Sequence, residues 1–377
     1  MLSLWFLVAL ATVTAGFVIV VVGVCLRSVR VRLQLTRRAG WLFGVGAAVL
    51  SLLFGAATVA DGINRHFAYI PSFSALRGDY SRDLVGHKQV LQVAVRAASG
   101  RGLPAHGLVE DVVLRGPRSQ IARHGFVYLP RAYFDPAQKK RRFPVLYLLH
   151  GSPGVAPDWL RGGFVDRAMD DLVDHHAIEP FIVVLPDVNG GYRRDTECQD
   201  IVGGPQVQTY LTYDVTGWVD SHYRTIMNPD GRAIGGLSSG GYCALNLMLR
   251  HQNVFSAAVM HSGSLAPIEG RYSGSLWHGD SALRQANTPR DYISTIPIGG
   301  PLGVYCDGGA DDYESVRTCN DARSLLDERH IPVVIHILRH EGHTFSAWRR
   351  NLYLSLPWVS QWFVAHATGR PSHRIAA

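Results

Sequence analysis

The chain has 377 residues, with 37 Lys and Arg against 30 Asp and Glu, for a formal net charge of +7. Five of the positive charges, Arg27, Arg30, Arg32, Arg37 and Arg38, fall in one short segment, and +7 minus five leaves +2 for everything else. The basic balance is therefore no argument for a nucleic-acid partner.

Residues 2–26 carry no charge and are rich in Leu, Val, Ala and Phe. A helix of about 20 apolar residues spans a bilayer core. Residues 40–60 form a second uncharged stretch. A cleavable signal peptide is the rival reading of the first. It has a basic start and an apolar core of about 7–15 residues, whereas this start is uncharged and this run longer. Short loops rich in arginine stay in the cytoplasm. The expectation is a two-helix transmembrane hairpin, with everything after Asp61 on the far side of the cell membrane.

Cys25 falls in the first of these helices, which leaves Cys198, Cys243, Cys306 and Cys319 for the outer part. No C-x-x-C occurs, so no structural zinc site is expected. An oxidising compartment permits disulfides. Cys306 pairs with Cys319, or Cys198 joins one of them; Cys243 is expected to be packed.

Residues 61–106 read as a connector, with a short helix or strand over 90–98. Residues 107–367 read as one α/β domain, large enough for its own core. Strands are expected over 109–114 and 120–129 as an antiparallel pair, then over 143–149, 181–185, 232–237, 255–261, 302–306 and 333–338. Helices are expected over 165–175, 210–222, 242–250, 314–329 and 346–366. Two irregular stretches, 186–206 and 262–300, interrupt them. The tail 368–377 is expected to be disordered. Strands alternating with helices predict a mainly parallel, doubly wound sheet.

The chemistry centres on Gly236-Leu237-Ser238-Ser239-Gly240, a G-x-S-x-G run between a predicted strand and a predicted helix. This is the nucleophile-elbow pattern. A serine hydroxyl attacks only when a base can reach it, so it must stand clear of the sheet on a sharp turn. Glycines beside it remove clashing side chains. The bland alternative is a glycine-rich turn with an idle serine.

A serine nucleophile needs a base, and the base an orienting acid, in the chain order Ser, Asp or Glu, His. The strand over 302–306 runs into Asp307-Gly308-Gly309-Ala310-Asp311-Asp312, and that over 333–338 into His340-Glu341-Gly342-His343. His343 is preferred to His340, because it follows a glycine and directly precedes a helix. His261 comes before any suitable acid and reads as a packed histidine. The oxyanion donors are the backbone N–H of Ser239, after the nucleophile, and of Ser152, in His150-Gly151-Ser152-Pro153-Gly154. No histidine pair has metal-ligand spacing, and this chemistry calls for no metal or cofactor.

These motifs together resemble the putative esterase family: LLHGSPG with Trp159 after it, VVLPD, GGLSSGG, YCDGGADDY and EGHTFSAW. That family includes esterase D (the S-formylglutathione hydrolases), feruloyl esterases and secreted mycolyltransferases. The likeness runs from about Val109 to Phe363 and is strongest at the serine and at Gly342, His343 and Trp348. It implies an α/β-hydrolase fold and an acyl-enzyme on Ser238 with His343 as base. A D-x-G-x-x-D segment in the family maps to Asp307, Gly309 and Asp312, which makes Asp312 the acid, with Asp311 next. His150 and the two-helix anchor depart from the mycolyltransferases. The resulting expectation is a membrane-anchored, extracytoplasmic serine esterase or acyltransferase acting on small-molecule or lipid esters. An idle hydrolase fold serving as a binding or envelope-scaffold module is the alternative. Acyl group, acceptor and oligomeric state stay open.

Overall fold

The computed structural model describes residues 34–67, 81 and 84–367, together with Thr12, Gly16 and Gly23. It separates into two units, Met1–Gly78 and Asp79–Ala377.

In the first unit, helix α1 spans Gln34–Phe67. It includes the expected second span, residues 40–60, and continues past it. Apolar side chains along it are exposed, among them Val49, Leu52, Leu53 and Val59. Among the described residues, no helix is long and apolar enough to cross a membrane. The expected span at 2–26 and the tail 368–377 lie outside the described residues, but for the three single positions in the former.

The second unit is built on one nine-stranded sheet in the order β1-β2-β3-β5-β4-β6-β7-β8-β9. The strands are β1 Leu84–Val85, β2 Leu108–Gly116, β3 Ile121–Leu129, β4 Val145–Leu149, β5 Ile182–Pro186, β6 Arg232–Leu237, β7 Ala257–His261, β8 Gly303–Gly309 and β9 Val333–Leu338. The β2–β3 and β3–β5 pairs are antiparallel, and from β5 to β9 all neighbours are parallel. Every residue of β4 to β8 is buried. Their sequences are accordingly runs of apolar and small residues rather than alternating ones, as strands covered on both faces require.

The covering helices are α2 His87–Ala98, α3 Val165–Asp174, α4 Thr216–His222, α5 Ser239–Arg250, α6 Tyr313–Asp327 and α7 Phe345–His366. Helix α5 packs on β6 and β7, α6 on β8 and β9, and α7 on β6 to β9. Trp159, Tyr147, Phe181 and Phe255 are among the largest side chains fully inside. Each such burial contributes about 1.5–3 kcal/mol relative to exposure.

The structure differs from the sequence reading in four places. The connector expected over 61–106 divides: α1 takes its first residues, while β1 pairs with β2 and α2 packs on β2. Val90 and Ala97 point inward from α2, which is why that stretch is helical and part of the domain. Strand β8 runs on through Gly309, so Asp307 lies in the sheet and not in a loop. The helix expected over 210–222 contains a π-helical segment, Tyr210–Val215, ahead of α4. Finally, Cys243 is not merely packed. It forms a disulfide with Cys198, and Cys306 pairs with Cys319. The packed reading failed because the long loop over 186–206 folds back onto α5, a contact with no local signature.

Candidate active site

Strand β6 ends at Leu237, and the next residue turns sharply. Ser238 has φ 55 and ψ −120, a left-handed conformation that non-glycine residues rarely hold. Such strain costs of order 1–3 kcal/mol and persists only where the surroundings enforce it. Here the Ser238 N–H donates to the carbonyl of His261 at 2.8 Å, and the Ser238 carbonyl accepts from Gly241 at 2.9 Å. The turn is tight enough that a Cβ on Gly236 would run into the Gly240 backbone. Both glycines of the motif are thus required by space.

Ser238 Oγ lies 3.0 Å from Nε2 of His343, and Nδ1 of His343 lies 2.7 Å from Oδ2 of Asp312. A hydrogen on Nδ1, donated to the carboxylate, leaves Nε2 free to accept from the serine hydroxyl. Loop contacts build this geometry. The Asp311 N–H donates to the Glu341 carbonyl at 2.9 Å, which clamps the acid loop to the histidine loop. A Cβ on Gly309 would collide with that same carbonyl. After His343, Thr344 caps α7 by accepting from the Ala347 N–H, and the Trp348 ring meets the imidazole edge-on at 4.9 Å.

Asp312 has a second task. It is the N-cap of α6 and accepts from the Ser315 N–H and hydroxyl. Burial alone would raise its carboxyl. The hydrogen bonds from His343 and Ser315 outweigh that and hold it below the usual carboxylate range. Asp311 is exposed and does not meet His343. His340 is exposed in a left-handed turn and stays out of the constellation. His261 is buried, as expected, and bonded to Asp307.

The HGSPG loop closes over the same place. A Cβ on Gly151 would lie 3.2 Å from the Ser238 Cβ, so this loop abuts the serine. Ser152 precedes a cis proline and donates its hydroxyl to the Arg194 carbonyl at 3.2 Å. Ser239 opens α5, with its N–H at a helix N-terminus. Buried His150 accepts the Val188 N–H on Nε2 and donates from Nδ1 to the Gly151 carbonyl, which stitches β4 to the loop after β5.

The sequence reading missed that loop's acids. Glu197 and Asp195 lie within it. Burial raises the Asp195 carboxyl, and burial with the Asp195 charge raises Glu197 well above its ordinary value. Glu197 accepts the Ile268 N–H at 3.2 Å, and Asp195 donates its N–H to Tyr272. The two irregular stretches are thereby tied together.

The family model for Putative esterase matches residues 118–368. An uncharacterised protein of Corynebacterium glutamicum is 28% identical over 249 residues, covering 64% of this chain and 57% of that protein. An esterase of Mycobacterium tuberculosis is 29% identical over 199 residues, covering 51% of this chain and 42% of that esterase. The chain thus spans about half the length of these relatives. Among solved structures, a ferulic acid esterase superposes with a TM-score of 0.58 at 24% identity, covering 68% of this chain and 98% of that one. The chain belongs to the putative esterase family and has an α/β-hydrolase fold.

Proposed function

We propose that Ser238, His343 and Asp312 are the catalytic triad of an esterase that works through an acyl-enzyme. The observation that carries this reading is the unbroken relay from Ser238 Oγ through His343 to Asp312, at 3.0 and 2.7 Å. His343 takes the serine proton as Oγ attacks the ester carbonyl, and Asp312 holds the imidazole in the tautomer this needs. The N–H groups of Ser239 and Ser152 face the oxyanion. His343 then protonates the leaving alcohol or thiol and activates water, or an acceptor alcohol in a transfer reaction. No metal or organic cofactor takes part. An idle scaffold would not need the strained φ of Ser238 together with a complete relay.

The domain acts outside the cytoplasm, anchored by the N-terminal segments, on lipid or cell-envelope esters. Three observations support this placement: the uncharged stretches 2–26 and 40–60 around an all-arginine loop, the exposed apolar side chains of α1, and two disulfides in the catalytic domain. Disulfides persist in oxidising compartments.

The test is turnover of p-nitrophenyl esters by purified wild type and Ser238→Ala. The variant loses one hydroxyl and stays folded. Its turnover falls by several orders of magnitude, as removal of a triad member does. Near-normal turnover in the folded variant removes Ser238 as nucleophile.

A further inference from the structure

A second histidine–aspartate pair lies behind the nucleophile. His261 ends β7, and Asp307 stands opposite it in the parallel register of β8. Both side chains are completely buried, with Nδ1 of His261 2.6 Å from Oδ2 of Asp307. Neither belongs to the relay of Ser238, His343 and Asp312. Well-packed apolar residues in place of such a pair are often neutral or stabilising, by about 1–4 kcal/mol. Stability alone therefore does not account for it.

Its connections reach every part of the site. The His261 carbonyl accepts the Ser238 N–H that secures the strained elbow. The Asp307 carbonyl accepts the Ser262 N–H at 2.8 Å, which locks the end of β7 to the strand leading to Asp312. Asn351, fully buried on the helix that follows His343, lies near the Asp307 carboxyl without closing a hydrogen bond to it. The Trp159 ring lies 5.2 Å from the His261 ring, and its Nε1–H donates to the Leu149 carbonyl, where β4 enters the HGSPG loop.

We infer that His261 and Asp307 are positioning residues for the ester reaction, whose mutual hydrogen bond sets the ends of β7 and β8 so that one imidazole bridges Ser238 and Asp312. The inference rests on the triad reading above. It acts through geometry, so a change that keeps the hydrogen bond is tolerated. A misplacement of about 1 Å in a catalytic group costs about a hundredfold in rate.

The test is the double variant His261→Leu/Asp307→Leu of the full chain, which removes both polar partners at once and so leaves no unpaired buried charge. It is expected to melt at or above the wild-type temperature and to keep KM within about twofold. Its kcat falls at least tenfold, and fluorophosphonate labelling of Ser238 slows by the same factor. A folded double variant with wild-type kcat overturns the inference. Ser238→Ala run alongside separates the two readings. Turnover that survives in Ser238→Ala removes the triad, whereas Ser238-dependent turnover untouched by the double substitution removes only the positioning role. If the double variant does not fold, Asp307→Asn decides, because it keeps shape and hydrogen bond. It is expected to keep kcat within about threefold; a tenfold loss in folded Asp307→Asn overturns the geometric account.

Discussion

One carboxylate, Asp312, hydrogen-bonds to His343 and caps α6 at once. Asp312→Asn separates the tasks. Asparagine is as good an N-cap as aspartate, so α6 keeps its cap and the variant stays folded, losing only the stability of the ionised carboxylate. The amide favours the wrong imidazole tautomer, and in a serine protease the equivalent change lowers turnover by about ten-thousand-fold. Asp311→Asn, in an exposed side chain, is expected to stay active and stable. Steady-state kinetics and thermal melts of the two variants check this, and the reverse pattern moves the acid to Asp311. Acidification gives a further readout. Because the folded state holds the Asp312 carboxyl below its usual value, it binds fewer protons there than the unfolded chain. The resulting stability is complete above the ordinary carboxylate range and is lost as pH falls through the lowered value. Melting temperature against pH should lack this component in Asp312→Asn. Ser238 and His343 were legible because motif spacing fixes their place after a strand and before a helix. The double duty of Asp312 was not. Which of two adjacent aspartates faces the histidine depends on the turn that Gly309 and the Glu341 carbonyl impose.

The strands β4 to β8 were readable as elements because buried parallel strands are written as apolar runs. The ends of β6 and β9 fell where expected, at Leu237 and Leu338. What stayed hidden were contacts between elements distant in sequence. The Cys198–Cys243 bond joins the loop after β5 to α5 across 45 residues, whereas Cys306–Cys319 joins β8 to α6 across 13. In the chain-entropy view, loops of those lengths are worth about 4 and about 3 kcal/mol respectively. Cys198→Ala/Cys243→Ala is therefore expected to be the more destabilised of the two paired-alanine variants in urea denaturation. It should also lose more activity, because the loop it frees carries Arg194, whose carbonyl holds the Ser152 hydroxyl. Equal losses, or a larger loss for the second pair, would refute this ranking.

At the scale of the molecule, the alternation of strands and helices announced the doubly wound sheet, and the motifs announced the esterase family. The start of the domain was misread, because α2 and the two-residue β1 are short and mixed in character, and only packing on β2 makes them part of the unit. The proposed membrane anchorage yields its own prediction. A reporter that works only outside the cytoplasm should be active when fused after Ala377, and activity of a cytoplasm-only reporter there would reverse the topology. The central claim, that this is an esterase acting through an activated Ser238, is tested most directly by intact-protein and peptide mass spectrometry after a fluorophosphonate probe. The account predicts one adduct per chain, on Ser238, absent from Ser238→Ala and sharply reduced in His343→Ala. A folded wild-type protein that takes no adduct, or takes it on another residue, would contradict it.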